Sequence, residues 1–192
     1  VSSEKNLARV VGGPIIRRMN TNKLWLVSGL VFALALAVAN ESRAGNILSV
    51  GGRYHQAHSS FDDLPYAEGD LSYGALYEVR EGDSTVQFGC SVTPEFDKRD
   101  DIDYAVTPEL NLMLIDRVFQ GGVGILSSYL SRNEGDSEWM DLYWQILLGL
   151  RLELSKSLTL QVSGSYVYEK WGDLSDFDFE DIEGVAYIGY AF

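Results

Sequence analysis

The residues best equipped for chemistry lie in two short stretches. The first, HQAHSSFDD over 55–63, holds both histidines of the chain, His55 and His58, beside Ser59, Ser60, Asp62 and Asp63. A histidine can take the proton of a serine hydroxyl and a carboxylate can orient that histidine, as in acyl-transfer nucleophiles. The plainer reading is a polar loop in which His55 points to the interior. The second stretch, DLSDFDFEDIE over 173–183, gathers Asp173, Asp176, Asp178, Glu180, Asp181 and Glu183. Carboxylates are hard oxygen ligands suited to Ca²⁺ or Mg²⁺. Counted from Asp176, however, the sixth residue is Asp181 and the twelfth is Tyr187, so this is not an EF-hand. Its plainer reading is a solvated acidic loop, from which Phe177 and Phe179 could present an edge for contact.

Composition narrows the field further. The chain has 192 residues, 15 Lys+Arg against 28 Asp+Glu, and a formal charge of -13, which argues against a nucleic-acid partner. A single cysteine, Cys90, allows no internal disulfide, and no CxxC or Cys/His zinc spacing is present. Gly51-Gly52 and Gly121-Gly122 lie in no phosphate-cradling motif. No cofactor is expected.

The elements that must position these residues begin after residue 44. From Leu24 to Ala39 the chain is uncharged, preceded by Lys23 and followed by small residues at Ser42 and Ala44. Sixteen residues are short for a spanning helix but suit a signal peptide cleaved before Gly45. Met19 is the natural start, so 1–18 reads as an upstream extension, 19–44 as the signal peptide and 45–192 as one domain. Removing 1–44 takes away six basic and two acidic residues and leaves the domain at -17. An exported, acidic domain without disulfides suits a bacterial envelope protein.

Within that domain the hydrophobic period is two, which is the period of a strand with one apolar face. Over 141–154, Leu142, Trp144, Ile146, Leu148, Leu150, Leu152 and Leu154 alternate with a mostly polar set. The pattern recurs over 102–114, 71–80, 85–93 and 158–169, less cleanly over 118–130, and segments 46–56 and 182–192 make eight strands. Pro94 and Pro108 each mark a bulge or a strand end. Connections alternate between tight turns (81–84, 115–117, 155–157) and longer loops (58–68, 96–100, 131–138, 172–181). The expected fold is all-β: an eight-stranded antiparallel up-and-down barrel that crosses a membrane.

Period two does not say which face points outward. The polar face is largely Gly, Ser, Thr, Gln and Tyr, suited to a crowded lumen, and its charges are of both signs. Arg53, Arg80 and Arg151 oppose Glu78, Glu109, Glu153, Glu169 and Glu183, and enclosed charges need partners. The expectation is one lumen network, with Glu183 opening the last strand beside Arg53 and His55. Tyr54, Tyr73, Trp139, Tyr143, Tyr168 and Trp171 fall near outer strand ends, where interfacial aromatic girdles belong. A soluble lipocalin-like barrel would have the opposite faces.

The last strand, IEGVAYIGYAF, ends with Ile188, Tyr190 and Phe192 on one face. It looks like the C-terminal signal of bacterial outer-membrane proteins, read by the barrel-assembly machinery. Across 45–192 the chain resembles the small eight-stranded outer-membrane barrels of the OmpX and OmpA-transmembrane type. The resemblance implies a monomer in the outer membrane, in contact with lipid and lipopolysaccharide, with a structural or surface-contact role and no wide pore. The acidic loop could then bridge to lipopolysaccharide through divalent ions. Such barrels include lipid A-modifying enzymes, for which His55, His58, Ser59 and Ser60 are the candidates here, although their flanking pattern does not match. They also include narrow conduits of the OmpW type.

Overall fold

The computed structural model describes residues 45–56, 64–96, 99–133 and 135–192. The expected upstream extension (1–18) and signal peptide (19–44) lie outside the described residues, as do His58, Ser59, Ser60, Asp62 and Asp63. The alternating segments are extended: β1 (Asn46–Tyr54), β2 (Leu71–Glu81), β3 (Ser84–Thr93), β4 (Ile102–Asp116), β5 (Phe119–Leu126), β6 (Tyr129–Arg132), β7 (Glu138–Trp139), β8 (Tyr143–Glu153), β9 (Leu158–Tyr168) and β10 (Glu183–Ala191). All pairings are antiparallel, and β6 and β7 continue β5 and β8 upward, so the ten segments build eight staves. β1 pairs β10 from Ile47↔Ala191 to Tyr54↔Gly184, and the barrel closes. The Phe192 amide adds a last bond to the Asn46 carbonyl at 3.1 Å.

Tight turns occupy one end of the barrel. Gly82 (φ 61°) and Arg117 (φ 56°) adopt the left-handed backbone that short hairpins require. Pro94 follows the last residue of β3, as expected, but Pro108 neither ends β4 nor causes a bulge. β4 runs through it, and pairing with β5 below (Glu109↔Leu126) and β6 above (Val106↔Tyr129) keeps one register. Lacking an N–H, Pro108 only interrupts the ladder opposite Ser127 and Ser128. The register shift in β4 lies between Ile102 and Tyr104 instead.

The faces sort as a membrane barrel requires. Leu148 is 73% exposed, Leu114 67% and Phe119 63%, whereas Ser49, Glu78, Gln145 and Ser165 are fully enclosed. An apolar belt this broad is a lipid-facing surface. Two corrections concern the aromatics. Tyr143 points inward into a buried cluster, and Tyr168, although on the outer face, is completely covered. Tyr54 and Tyr73 remain exposed on the outer wall.

At the loop end the lumen is capped by the described part of the first long connection, from Leu64 onward. Leu64 and Tyr66 turn down between the walls and pack with Phe96, Ile102, Leu126, Leu130 and Tyr143. Above this plug β4, β6 and β7 form a taller hairpin, clasped where Arg132 reaches Asp101 and Glu138, with Arg99 also on Asp101 at 3.1 Å. The Asn133 amide bonds the Asp101 carbonyl at 2.9 Å.

Two outcomes are expected. Leu148→Arg, in the middle of β8 on the apolar face, costs about 2–4 kcal/mol in urea unfolding from lipid vesicles, against little for a change to Ile. The hydrogen bond from Arg99 and the nearby Arg132 charge hold the Asp101 carboxyl below its ordinary value of 3.8. A lowered folded value means that the clasp contributes above the ordinary carboxylate range and is lost as pH falls through the lower folded value. The Asn133 amide therefore keeps its exchange protection down to about pH 4 and loses it only below, and in Asp101→Asn the acid step disappears.

Candidate functional site

The enclosed polar groups form two ion-paired centres joined by amides. Arg53 near the end of β1 and His55 just beyond it both turn inward, and the register that ends at Tyr54↔Gly184 leaves Glu183 beside His55. Glu109 approaches from β4 and Gln145 from β8. Arg53 donates through Nη2 to Glu109 Oε2 (2.9 Å) and Gln145 Oε1 (2.9 Å), and through Nη1 to Glu183 Oε2 (3.3 Å). Two glycines make room for this: a Cβ on Gly89 would run into Glu109, and one on Gly124 into Asn111.

His55 completes the upper centre. Its Nδ1 lies 2.6 Å from Glu183 Oε1 and its Nε2 2.6 Å from Ser72 Oγ, which in turn lies 2.6 Å from Thr93 Oγ1. A carboxylate only accepts, so in the neutral ring Nδ1 carries the proton and Ser72 donates to Nε2. Tyr66 stacks on the imidazole at 3.8 Å with 6° between planes, and its hydroxyl meets Thr107 Oγ1 and Ser128 Oγ at 2.7 Å each. Burial pushes the Tyr66 phenol above its ordinary value, so it stays a neutral hydrogen-bonding cap.

The lower centre pairs Arg151 Nη1 with Glu78 Oε2 at 2.7 Å, both side chains enclosed. Ser49 and Gln161 donate to the other Glu78 oxygen. Between the centres Gln145 donates to Asn111 (2.7 Å), Asn111 to Gln87 (3.5 Å) and Gln87 to Gln161 (3.3 Å). The chain of contacts therefore runs from Arg53 to Arg151 down the lumen.

Three of the expected network members lie elsewhere. Arg80 and Glu153 meet at 3.8 Å on the exposed rim, because each stands at or next to the last residue of its strand. Glu169 follows β9 and pairs with Lys170 at 2.6 Å on the surface. The acidic loop is likewise dispersed. Asp173 accepts the Lys170 amide (2.7 Å) and Asp178 the Glu180 amide (3.0 Å), both capping 3₁₀ turns at Trp171–Asp176 and Phe179–Asp181, while Asp181 is buried. The side chain of Asp176 lies outside the described atoms. Among the described residues no three His, Cys, Asp or Glu converge as a metal site.

The serine that His55 touches is thus Ser72, which no local motif singles out. Glu183, His55 and Ser72 follow the hydrogen-bond order of an acyl-transfer triad. Ser72 is only 1% exposed, however, and the cavity beneath Tyr66 measures about 10 Å³, room for about one water.

With a closed eight-stave barrel, an apolar exterior and a filled lumen in view, comparison with solved structures is decisive for the fold. The N-terminal β-barrel domain of Pseudomonas aeruginosa OprF superposes with a TM-score of 0.54 at 11% identity, over 79% of this chain and 100% of that one. Neisserial surface protein A does so with a TM-score of 0.51 at 14% identity, again over 79% and 100%. The fold is that of a small outer-membrane barrel. No family model matches the chain, and no curated protein matches it significantly. The likeness concerns the fold; the lumen of this chain is arranged around Arg53.

Arg53→Met leaves Glu109 and Glu183 enclosed without their cation and is expected to cost about 3–5 kcal/mol in vesicle unfolding. Adding Glu109→Gln and Glu183→Gln to that variant recovers much of the loss, because no uncompensated charge then remains. Equal loss in both would show that Arg53 acts by packing alone.

Proposed function

We propose that this protein is exported with a cleaved signal peptide and inserted as a monomer into the bacterial outer membrane. There it serves a structural or surface-contact role in the envelope, through its wall and loops. The observation that carries this reading is the filled lumen, in which side chains bond to one another from Arg53 to Arg151 and leave no wide passage. Eight staves enclose only enough space for side chains or one small ligand. This weighs against an OmpW-type conduit.

The same enclosure weighs against a lipid A-modifying enzyme built on His55. A serine that attacks a lipid ester must meet the bilayer or its surface, whereas Ser72 faces the lumen beneath Tyr66. His55 is committed on both ring nitrogens to enclosed partners. At the barrel seam, Ile188 and Tyr190 present their side chains on the outer wall and Phe192 follows them. This suits recognition of the last strand by the barrel-assembly machinery.

The test is the gel mobility of protein from purified outer membranes, boiled and unboiled, followed by lipid A mass analysis and planar-bilayer recording. A heat-dependent shift, unchanged lipid A in wild type and in His55→Ala, and no single-channel steps are expected. A periplasmic protein with no shift would sink the proposal. Altered lipid A that reverts in His55→Ala or in His58→Ala would replace it with the enzyme.

A further inference from the structure

The connection from β9 to β10 lies against the outer wall of the barrel. Trp171 sits 5.4 Å from Trp144 and 5.4 Å from Tyr168, and Phe177 sits 4.6 Å from Tyr166. Trp144, Tyr166 and Tyr168 belong to the outward set of β8 and β9. Farther down the same face Val162 is 48% exposed, but Tyr166 and Tyr168 are buried because this flap covers them. The flap then turns aromatic surface outward itself. Phe179 is 79% exposed, Trp171 56% and Phe177 42%, with the two phenylalanines edge to face at 4.9 Å.

We propose that this flap is a lateral lipid-binding surface, with Trp171, Phe177 and Phe179 set in the headgroup–acyl boundary of the outer leaflet. The inference rests on the membrane reading above and carries the interfacial girdle, expected at Trp171, onto Phe177 and Phe179 of a loop whose plainer reading was a solvated acidic segment. Two observations select lipid over a protein partner in solution. First, the patch is continuous with the lipid-facing wall, since its rings pack on residues of that wall. Second, its height is right. β9 has 11 residues, and at about 3.3 Å per residue with a tilt near 45° it rises about 25 Å, the height of the apolar band. Tyr168 at its end, and the rings packed on it, therefore stand at the interface where tryptophan and other amphipathic rings concentrate. The capping carboxylates Asp173 and Asp178 and exposed Glu180 need water, which the headgroup layer supplies.

The experiment uses single-tryptophan versions of the full chain, with Trp25 and two of Trp139, Trp144 and Trp171 changed to Phe. Each is reconstituted in phosphatidylcholine vesicles whose acyl chains carry bromine. Trp144 on the wall reports insertion. Trp139 pairs through Tyr129 with Val106, four residues farther up β4 than Leu110, which is level with Trp144 through Ile125. At about 3.3 Å per residue and a tilt near 45° it stands about 9 Å higher, above the girdle in which its position in the chain had set it, and reports the aqueous side. The expected result is a loss of Trp171 emission close to that of Trp144 and well above that of Trp139. Adding Phe177→Ser and Phe179→Ser should reduce quenching of Trp171 without altering that of Trp144. If Trp144 is quenched but Trp171 behaves like Trp139, the flap is a water-exposed edge and the proposal is overturned. If Trp144 is not quenched, the membrane reading itself falls and this proposal with it.

Discussion

A guanidinium enclosed by eight strands keeps its charge, so carboxylates must meet it there to offset the cost of burial, and the interior of this barrel is arranged around that requirement. Arg53 engages Glu109, Glu183 and Gln145, which come from three other staves. Each partner is held in turn: Glu183 by His55, Gln145 by Ser165 and Asn111. The glycines at 89 and 124 follow from the same demand, since a side chain there would occupy the space that Glu109 and Asn111 fill. The plug belongs to it as well, because Tyr66 seals the upper centre from water by stacking on His55.

That interior allows the exterior to be apolar without contradiction. A soluble protein hides its leucines and exposes its charges. Here each charge of the lumen network meets an opposite one, and the leucines of β4 and β8 face outward, where lipid replaces the missing core. The belt is interrupted on one side by the aromatic flap, which extends the wall with loop residues. The fold thus manages its surface in three zones: an apolar band, an aromatic edge, and a charged hairpin clasped by Arg132.

The triad-like order of Glu183, His55 and Ser72 shows why geometry must be read with access. Distances of 2.6 Å on both sides of an imidazole would fit a nucleophile, but they equally fit a satisfied buried histidine. Enclosure separates the two cases. In the described structure His55 joins the β1–β10 seam to β2 and supports the plug, which is a positioning role that needs no substrate.

The chain order alone determined the period of two, the eight staves, the tight and long connections and the polarity of each face, because strand alternation is a local property. Glu183 beside Arg53 and His55 was also legible, since β1 and β10 must adjoin when an up-and-down barrel closes. Only the tertiary structure decided which residues meet across the lumen. Ser72, Tyr66, Gln145 and Asn111 carry no motif, and their meeting depends on barrel shear and on a loop folding inward. Arg80, Glu153 and Glu169 share the pattern of the network yet fall outside it, because alternation says which way a side chain points and not whether the barrel still surrounds it at that height. Tyr143 left the girdle by facing inward, and Tyr168, at the girdle's height, is hidden under the flap. Periodicity reports direction along a strand; enclosure depends on what the rest of the chain brings alongside.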